Sequence, residues 1–195
     1  LTGVDTYWLS QGLRTALNHK HSVFIDGGEN DVRWGVELGF RGTEGVMKHS
    51  SRKNANAAFY VDYRIGGLQI KNKVTYIYNK STDVPFNSFS DYSHLLPYMR
   101  LYDENGDYVR RLEKFDGASG TQVNPLYEIN FYNSFDHSGY DEVTDDLSLN
   151  WRITDGLRLR GQFSFLMRNS TGDLYKDPAS ASYSASTGNI NGEKT

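Results

Sequence analysis

Two histidines, His19 and His21, stand two residues apart in HKHSVF, a spacing at which side chains on one face of an extended strand could ligate a metal. The chain has no cysteine and no carboxylate at a recognisable spacing from them, so the pair reads as a strand-end feature ahead of a metal site. Asp103, Asn105 and Asp107 in DENGD imitate the first half of a calcium loop. The glycine arrives too early and the twelfth position holds no glutamate, so a hairpin turn at Asn105-Gly106 accounts for them better. Carboxylates at Asp91, Asp103, Glu104, Asp107, Glu113 and Asp116 fall in one long segment, but sequence alone cannot space a catalytic pair among them. No nucleophile elbow, P-loop or dinucleotide fingerprint occurs. The residue types therefore predict no enzyme, no cofactor and no bound metal.

Aromatic side chains are more conspicuous. Phe86, Phe89, Tyr92, Tyr98, Tyr102, Tyr108, Phe115 and Tyr127 crowd the same segment. Such rings suit the faces of sugars or a partner protein, and they equally suit packing of the loop on itself. Tyr92, Tyr98, Tyr102 and Tyr108 are the candidates for contact with cargo or partner.

The elements that must position these rings follow from composition and period. A chain of 195 residues is long enough for one domain with a sizeable core, and 14 Tyr, 10 Phe and 19 Gly lean it toward β-structure. A net charge of −3 and a pI near 6.0 offer no basic excess for nucleic acid. No run of ~18 apolar residues exists to form a membrane helix. The mean hydropathy of −0.63 does not exclude a membrane barrel, which shows lipid only every second residue and carries polar loops. The chain opens at Leu1 without a start methionine or signal segment, and is expected to be a piece of a longer protein.

Period-two alternation predicts six strands over 19–28, 31–41, 54–65, 68–78, 143–154 and 157–168. DVRWGVELGFRG is representative: Val32, Trp34, Val36, Leu38 and Phe40 alternate with Arg33, Gly35, Glu37, Gly39 and Arg41. Asn72 interrupts the apolar series of its strand, and 27–30 is expected to break the first strand. These strands of about eleven residues exceed the usual five or six, and tilted at ~45° they would rise ~25 Å, the height of an outer-membrane barrel's apolar band. Short connections at one rim alternate with long ones at the other, above all the loop 79–138. Opposite the apolar series stand Arg33, Glu37, Arg41, Asp62, Arg64, Arg152, Arg158 and Arg160, the expected polar wall of a lumen. A soluble β-sandwich that binds carbohydrate or mediates adhesion would also turn these charges to water, and it stands as the alternative. The tail after Asn169 reads as loop.

The ordered series LRTALNHKHSVFIDGG, VRWGVELGFRGTEGVMK, VDYRIGGLQIKNKVTY, SFSDY, YDENG, NPLYE and LSLNWRITDGLRLRGQFS resembles the barrel of SusC/RagA-type TonB-linked outer-membrane transporters of the Bacteroidetes. The resemblance implies that the chain is a contiguous part of a 22-stranded barrel without its plug domain. It implies a cell outer-membrane location and non-enzymatic import of oligosaccharide or peptide cargo. The implied partners are a SusD-like surface lipoprotein and, through the plug, the TonB complex.

Overall fold

The computed structural model describes residues 3–113, 121–180 and 193–194. Along the chain run α1 (Trp8–Gln11), β1 (Asn18–Glu29), β2 (Val32–Glu44), β3 (Ser51–Ile65), β4 (Leu68–Asp83), α2 (Phe89–Ser93), β5 (Arg111–Glu113), β6 (Thr121–Val123), α3 (Pro125–Phe131), β7 (Phe135–Thr154), β8 (Leu157–Lys176) and β9 (Glu193–Lys194). The protein is all-β. Its main sheet is an antiparallel meander in the order β1-β2-β3-β4-β7-β8-β9, and β5 pairs only with β6.

All six long strands fall where alternation predicts them, and the ladder carries most of them beyond the predicted ends. Strands β7 and β8 each run 20 residues, so the chain after Asn169 is strand to Lys176 rather than loop, and β9 adds a short seventh member. The extension escaped the sequence because residues such as Asp136, His137, Asn169 and Asp173 are polar on both faces, so pairing continues where the hydrophobic period has stopped. The expected break at 27–30 is likewise shorter. Gly27 and Gly28 stay in β1, where Gly27 leaves room for the Trp34 indole, and the turn falls at Asn30-Asp31 with Asn30 at φ 49°. Gly66 takes φ 55° in the β3–β4 turn, as two-residue hairpins require.

The pairing register fixes the faces, because residues directly opposite in an antiparallel pair point to the same side. Ile25, Val36, Phe59, Val74, Asp145 and Phe165 form one row across the sheet, and Val23, Leu38, Ala57, Tyr76, Val143 and Met167 form the next. The turns also step. Glu29–Val32 closes the first hairpin and lies in register with Tyr63, yet Ile65–Leu68 closes the second two residues farther along. The third closes at Thr154–Leu157, two residues beyond the Trp151–Leu159 pair that shares a row with Leu68. A stagger of one residue per strand corresponds to strands inclined by roughly 35° to the line of the turns, given ~3.3 Å per residue and ~4.8 Å between strands.

No element lies over the apolar face of this sheet among the described residues. Leu38 is 49 % exposed, Phe163 62 % and Met167 59 %. The buried hydrophobic core lies elsewhere, formed by Trp8, Tyr92, Leu95, Met99, Leu101, Leu112, Leu126 and Ile129. It belongs to a cap at the long-loop rim, built from the N-terminal segment and the described residues 84–113 and 121–134 between β4 and β7. Ser88 and Asp91 form a capping box on α2, while Asn124 accepts from the Leu126 amide at the start of α3. Trp8 Nε1 donates to the Leu96 carbonyl at 3.1 Å, and Asn87 donates to the Lys48 carbonyl, tying the cap to the β2–β3 loop.

Candidate functional site

Two surfaces carry polar or aromatic chemistry, and the meander assigns each its place. The first is the face opposite the apolar one. Register puts Arg33 against Asp62, Glu37 against Ala58, Arg41 against Asn54, Arg64 against Gln69, Arg160 against Asn150 and Arg152 against Arg158, all on that side. All eight expected wall residues therefore share one face. Asp62 accepts from Arg64 Nη2 at 3.0 Å and from Gln69 Nε2 at 2.8 Å, with Lys71 Nζ at 3.8 Å. Toward the cap, Arg168 pairs with Glu142, its guanidinium 4.6 Å from the Tyr140 ring centroid. The face mixes charges along its length: Arg33, Asp62, Arg64, Arg152, Arg158 and Arg160 lie near the tight turns, and Arg41, Glu142, Asp146 and Arg168 lie farther toward the cap.

The apolar face carries two polar pairs between β4 and β7. Asn72, which interrupts the hydrophobic series, donates from Nδ2 to Asp145 Oδ1 at 2.6 Å, and Tyr76 donates to Asp141 Oδ1 at 2.7 Å nearby. The interruption is thus answered by a partner from β7, 73 residues away in sequence.

The second surface is the cap. Its four candidate tyrosines separate by burial. Tyr92 is 1 % exposed, and its hydroxyl donates to Asn87 Oδ1 at 3.0 Å. Burial and the neighbouring Asp91 carboxylate push its phenol well above the usual tyrosine range. This corrects the expectation for Tyr92, whose ring is committed to the core and offers no face to a ligand. Tyr98 and Tyr102, partly exposed, line a cavity of about 430 Å³ together with Arg100, Glu104, Arg111 and Glu113. Tyr108 stacks at a tilt on Tyr102, centroids 4.9 Å apart, and its phenol is raised by the hydrogen bond to Tyr102 and by partial burial.

From Tyr108 the aromatic contacts continue to Phe131 at 6.0 Å, then to Tyr127 at 4.5 Å and Tyr132 at 5.7 Å. Arg110 lies 5.9 Å over the Tyr132 ring. Phe131 and Tyr132 were not among the sequence candidates. The available signal was NPLYEINFY: Asn-Pro opens a helix, and Tyr127 and Phe131 then stand four apart on one face. Phe115 lies outside the described residues. The Asn105-Gly106 turn forms as expected, with Asp103 Oδ1 accepting from the Asn105 and Asp107 amides and a bridge joining Tyr102 to Tyr108. His19 and His21 sit with centroids 5.3 Å apart, and no group of three or more His, Asp or Glu side chains converges on a metal position among the described residues.

No family model matches the chain, and no curated protein does. The surfaces themselves carry the functional reading. One is a charged sheet face and the other an aromatic cap.

Proposed function

We propose that this chain is a wall segment of a large outer-membrane β-barrel of the SusC/RagA type. In this reading it is a non-enzymatic part of a TonB-linked importer of glycans or peptides that works with a SusD-like lipoprotein. The observation that carries the reading is the bare apolar face. Side chains from Val23 and Leu38 through Phe59 to Phe163 and Met167 form a broad hydrophobic surface, interrupted at β4 and β7 by the Asn72–Asp145 and Tyr76–Asp141 pairs, with no protein layer over it among the described residues, and acyl chains are the natural cover. A soluble sandwich needs a second sheet there. The stepped turns support the same reading, since an inclination of roughly 35° falls in the range of membrane barrels.

The division of labour follows from placement. The strands hold position in the membrane, the charged face lines the aqueous path, and the cap stands at the outer rim where cargo and lipoprotein arrive. Aromatic rings at Tyr98, Tyr102, Tyr108 and Phe131 offer flat apolar surfaces to sugar rings or peptide side chains. The tests are Val36→Arg and Glu37→Ala in the protein assembled in an outer membrane. An arginine on the lipid face costs roughly 2–4 kcal/mol at the midplane, so Val36→Arg lowers the amount of assembled protein severalfold while Glu37→Ala leaves it near wild type. Equal tolerance of the two refutes the lipid-facing assignment.

A further inference from the structure

Beyond the end of β8 the chain leaves the sheet, and residues 177–180 settle on the cap. Hydrogen bonds fasten them before β5, on α3 and just after α3. Asp177 donates its amide to Ser134 Oγ at 3.0 Å and accepts the Asn133 amide on Oδ2 at 3.4 Å. The Ala179 carbonyl accepts from Arg110 Nη2 at 3.0 Å, and the same guanidinium lies over the Tyr132 ring. Ser180 donates from Oγ to Glu128 Oε2 of α3 at 2.7 Å, with the serine 0 % and the glutamate 3 % exposed. The segment's own sequence fixes its shape. Asp177 precedes Pro178, which restricts it to extended backbone; its Oδ1 accepts the Ala179 amide at 2.8 Å and its carbonyl accepts the Ser180 amide at 3.0 Å.

This seat differs in kind from the core beside it. Trp8, Tyr92, Leu112 and Leu126 close the core with apolar surface, and parting them puts that surface in water. Residues 177–180 are Asp, Pro, Ala and Ser, and hydrogen bonds are what fasten them. Each of those bonds is exchanged for one to water when the segment lifts, so release costs little beside opening the core. The Ser180–Glu128 contact dominates that cost, because it is buried and its acceptor is a carboxylate oxygen.

We infer that residues 177–180 are a releasable polar latch. Seated, they hold α3, with Tyr127, Phe131 and the following Tyr132, against the segment around Arg110; lifted, they free those rings while the cap core stays closed. Because Phe131 meets Tyr108, the latch sets the shape of the aromatic surface at the rim. Arg110 and Ser180 are in this sense positioning residues for that surface. The inference goes beyond the barrel reading and stands on the cap's own contacts, so the two are tested separately.

The test is amide-resolved hydrogen exchange, read by mass spectrometry, on the protein assembled in an outer membrane, as wild type, Ser180→Ala and Ser134→Ala. In the wild type the amides of Asn133, Asp177, Ala179 and Ser180 should exchange together, and faster than those of Leu95 and Met99 in the core. Ser180→Ala removes a hydroxyl that Asn133 does not touch, yet it should speed exchange at Asn133 roughly tenfold and leave Leu95 and Met99 as in wild type. Ser134→Ala, at the other end of the latch, should in turn speed exchange at Ser180. A Ser180→Ala effect confined to residues 177–180, or no effect at all, overturns the latch, since the segment would then move without α3. Loss of protection at Leu95 and Met99 equal to that at Asn133 also overturns it, because the segment would then be part of the core. None of these outcomes depends on which face of the sheet meets lipid.

Discussion

Tyr92 and Tyr102 are the same amino acid ten positions apart, and burial gives them opposite roles. Tyr102 lies half in solvent beside a cavity, whereas Tyr92 is the centre of the cap core with its hydroxyl held by Asn87. The raised phenol of Tyr92 has a thermodynamic consequence. Its folded state holds the proton more tightly than the unfolded chain, so its contribution is complete below pH 10.0, the ordinary tyrosine value, and declines as pH rises above it. Tyr92→Phe should lose about 1 kcal/mol of cap stability near neutrality and flatten the alkaline decline, read by near-ultraviolet circular dichroism against pH. An unchanged alkaline slope would remove Tyr92 from that role. Asn72 and Asp145 make the second case at this scale. Asn72→Val strands the carboxylate on an apolar face and should cost roughly 1–3 kcal/mol, whereas Asn72→Val with Asp145→Val should restore stability to wild type or above. Denaturant titration of the three proteins checks this; a double variant no better than the single one would show that the pair matters for something other than mutual satisfaction.

The elements were legible in the sequence in proportion to how strongly one face differs from the other. Val32 to Phe40 against Arg33 to Arg41 gave β2 its place and both its faces, and the register keeps every wall residue on the side that alternation assigned. The upper halves of β7 and β8 were not legible, because the ladder is held there by backbone hydrogen bonds that polar residues on both faces do not advertise. The cap was not legible either. Leu95, Met99, Leu101 and Leu112 follow no single period, and only the three-dimensional return of Trp8 from the other end of the loop system makes them a core. That core predicts a unit that melts apart from the strands. Asn124→Ala removes the α3 cap and should cost 0.5 to about 2 kcal/mol, exposing cap amides to hydrogen exchange while amides of β2, β3 and β4 keep their protection. Equal loss of protection in cap and sheet would mean that the two fold as one.

At the scale of the whole molecule, the arrangement inverts an ordinary soluble domain. Among the described residues, the hydrophobic core sits in the connections at one rim, and a broad apolar surface belongs to a sheet with nothing packed on it. Physical chemistry permits that only if another phase or another molecule covers the sheet; the cover proposed above is a bilayer, and the inclination of the stepped hairpins supports it. The absence of native cysteine allows the most direct measurement. Single cysteines introduced in turn at positions 33 to 40 of β2, each carrying a nitroxide, are reconstituted in vesicles and probed with oxygen, which concentrates in acyl chains, and with a water-soluble nickel chelate. The account predicts period-two alternation, with oxygen favoured at Val36 and Leu38 and nickel at Arg33 and Glu37. Accessibility that favours nickel at both parities, or that shields Val36 and Leu38 from both reagents, would contradict it.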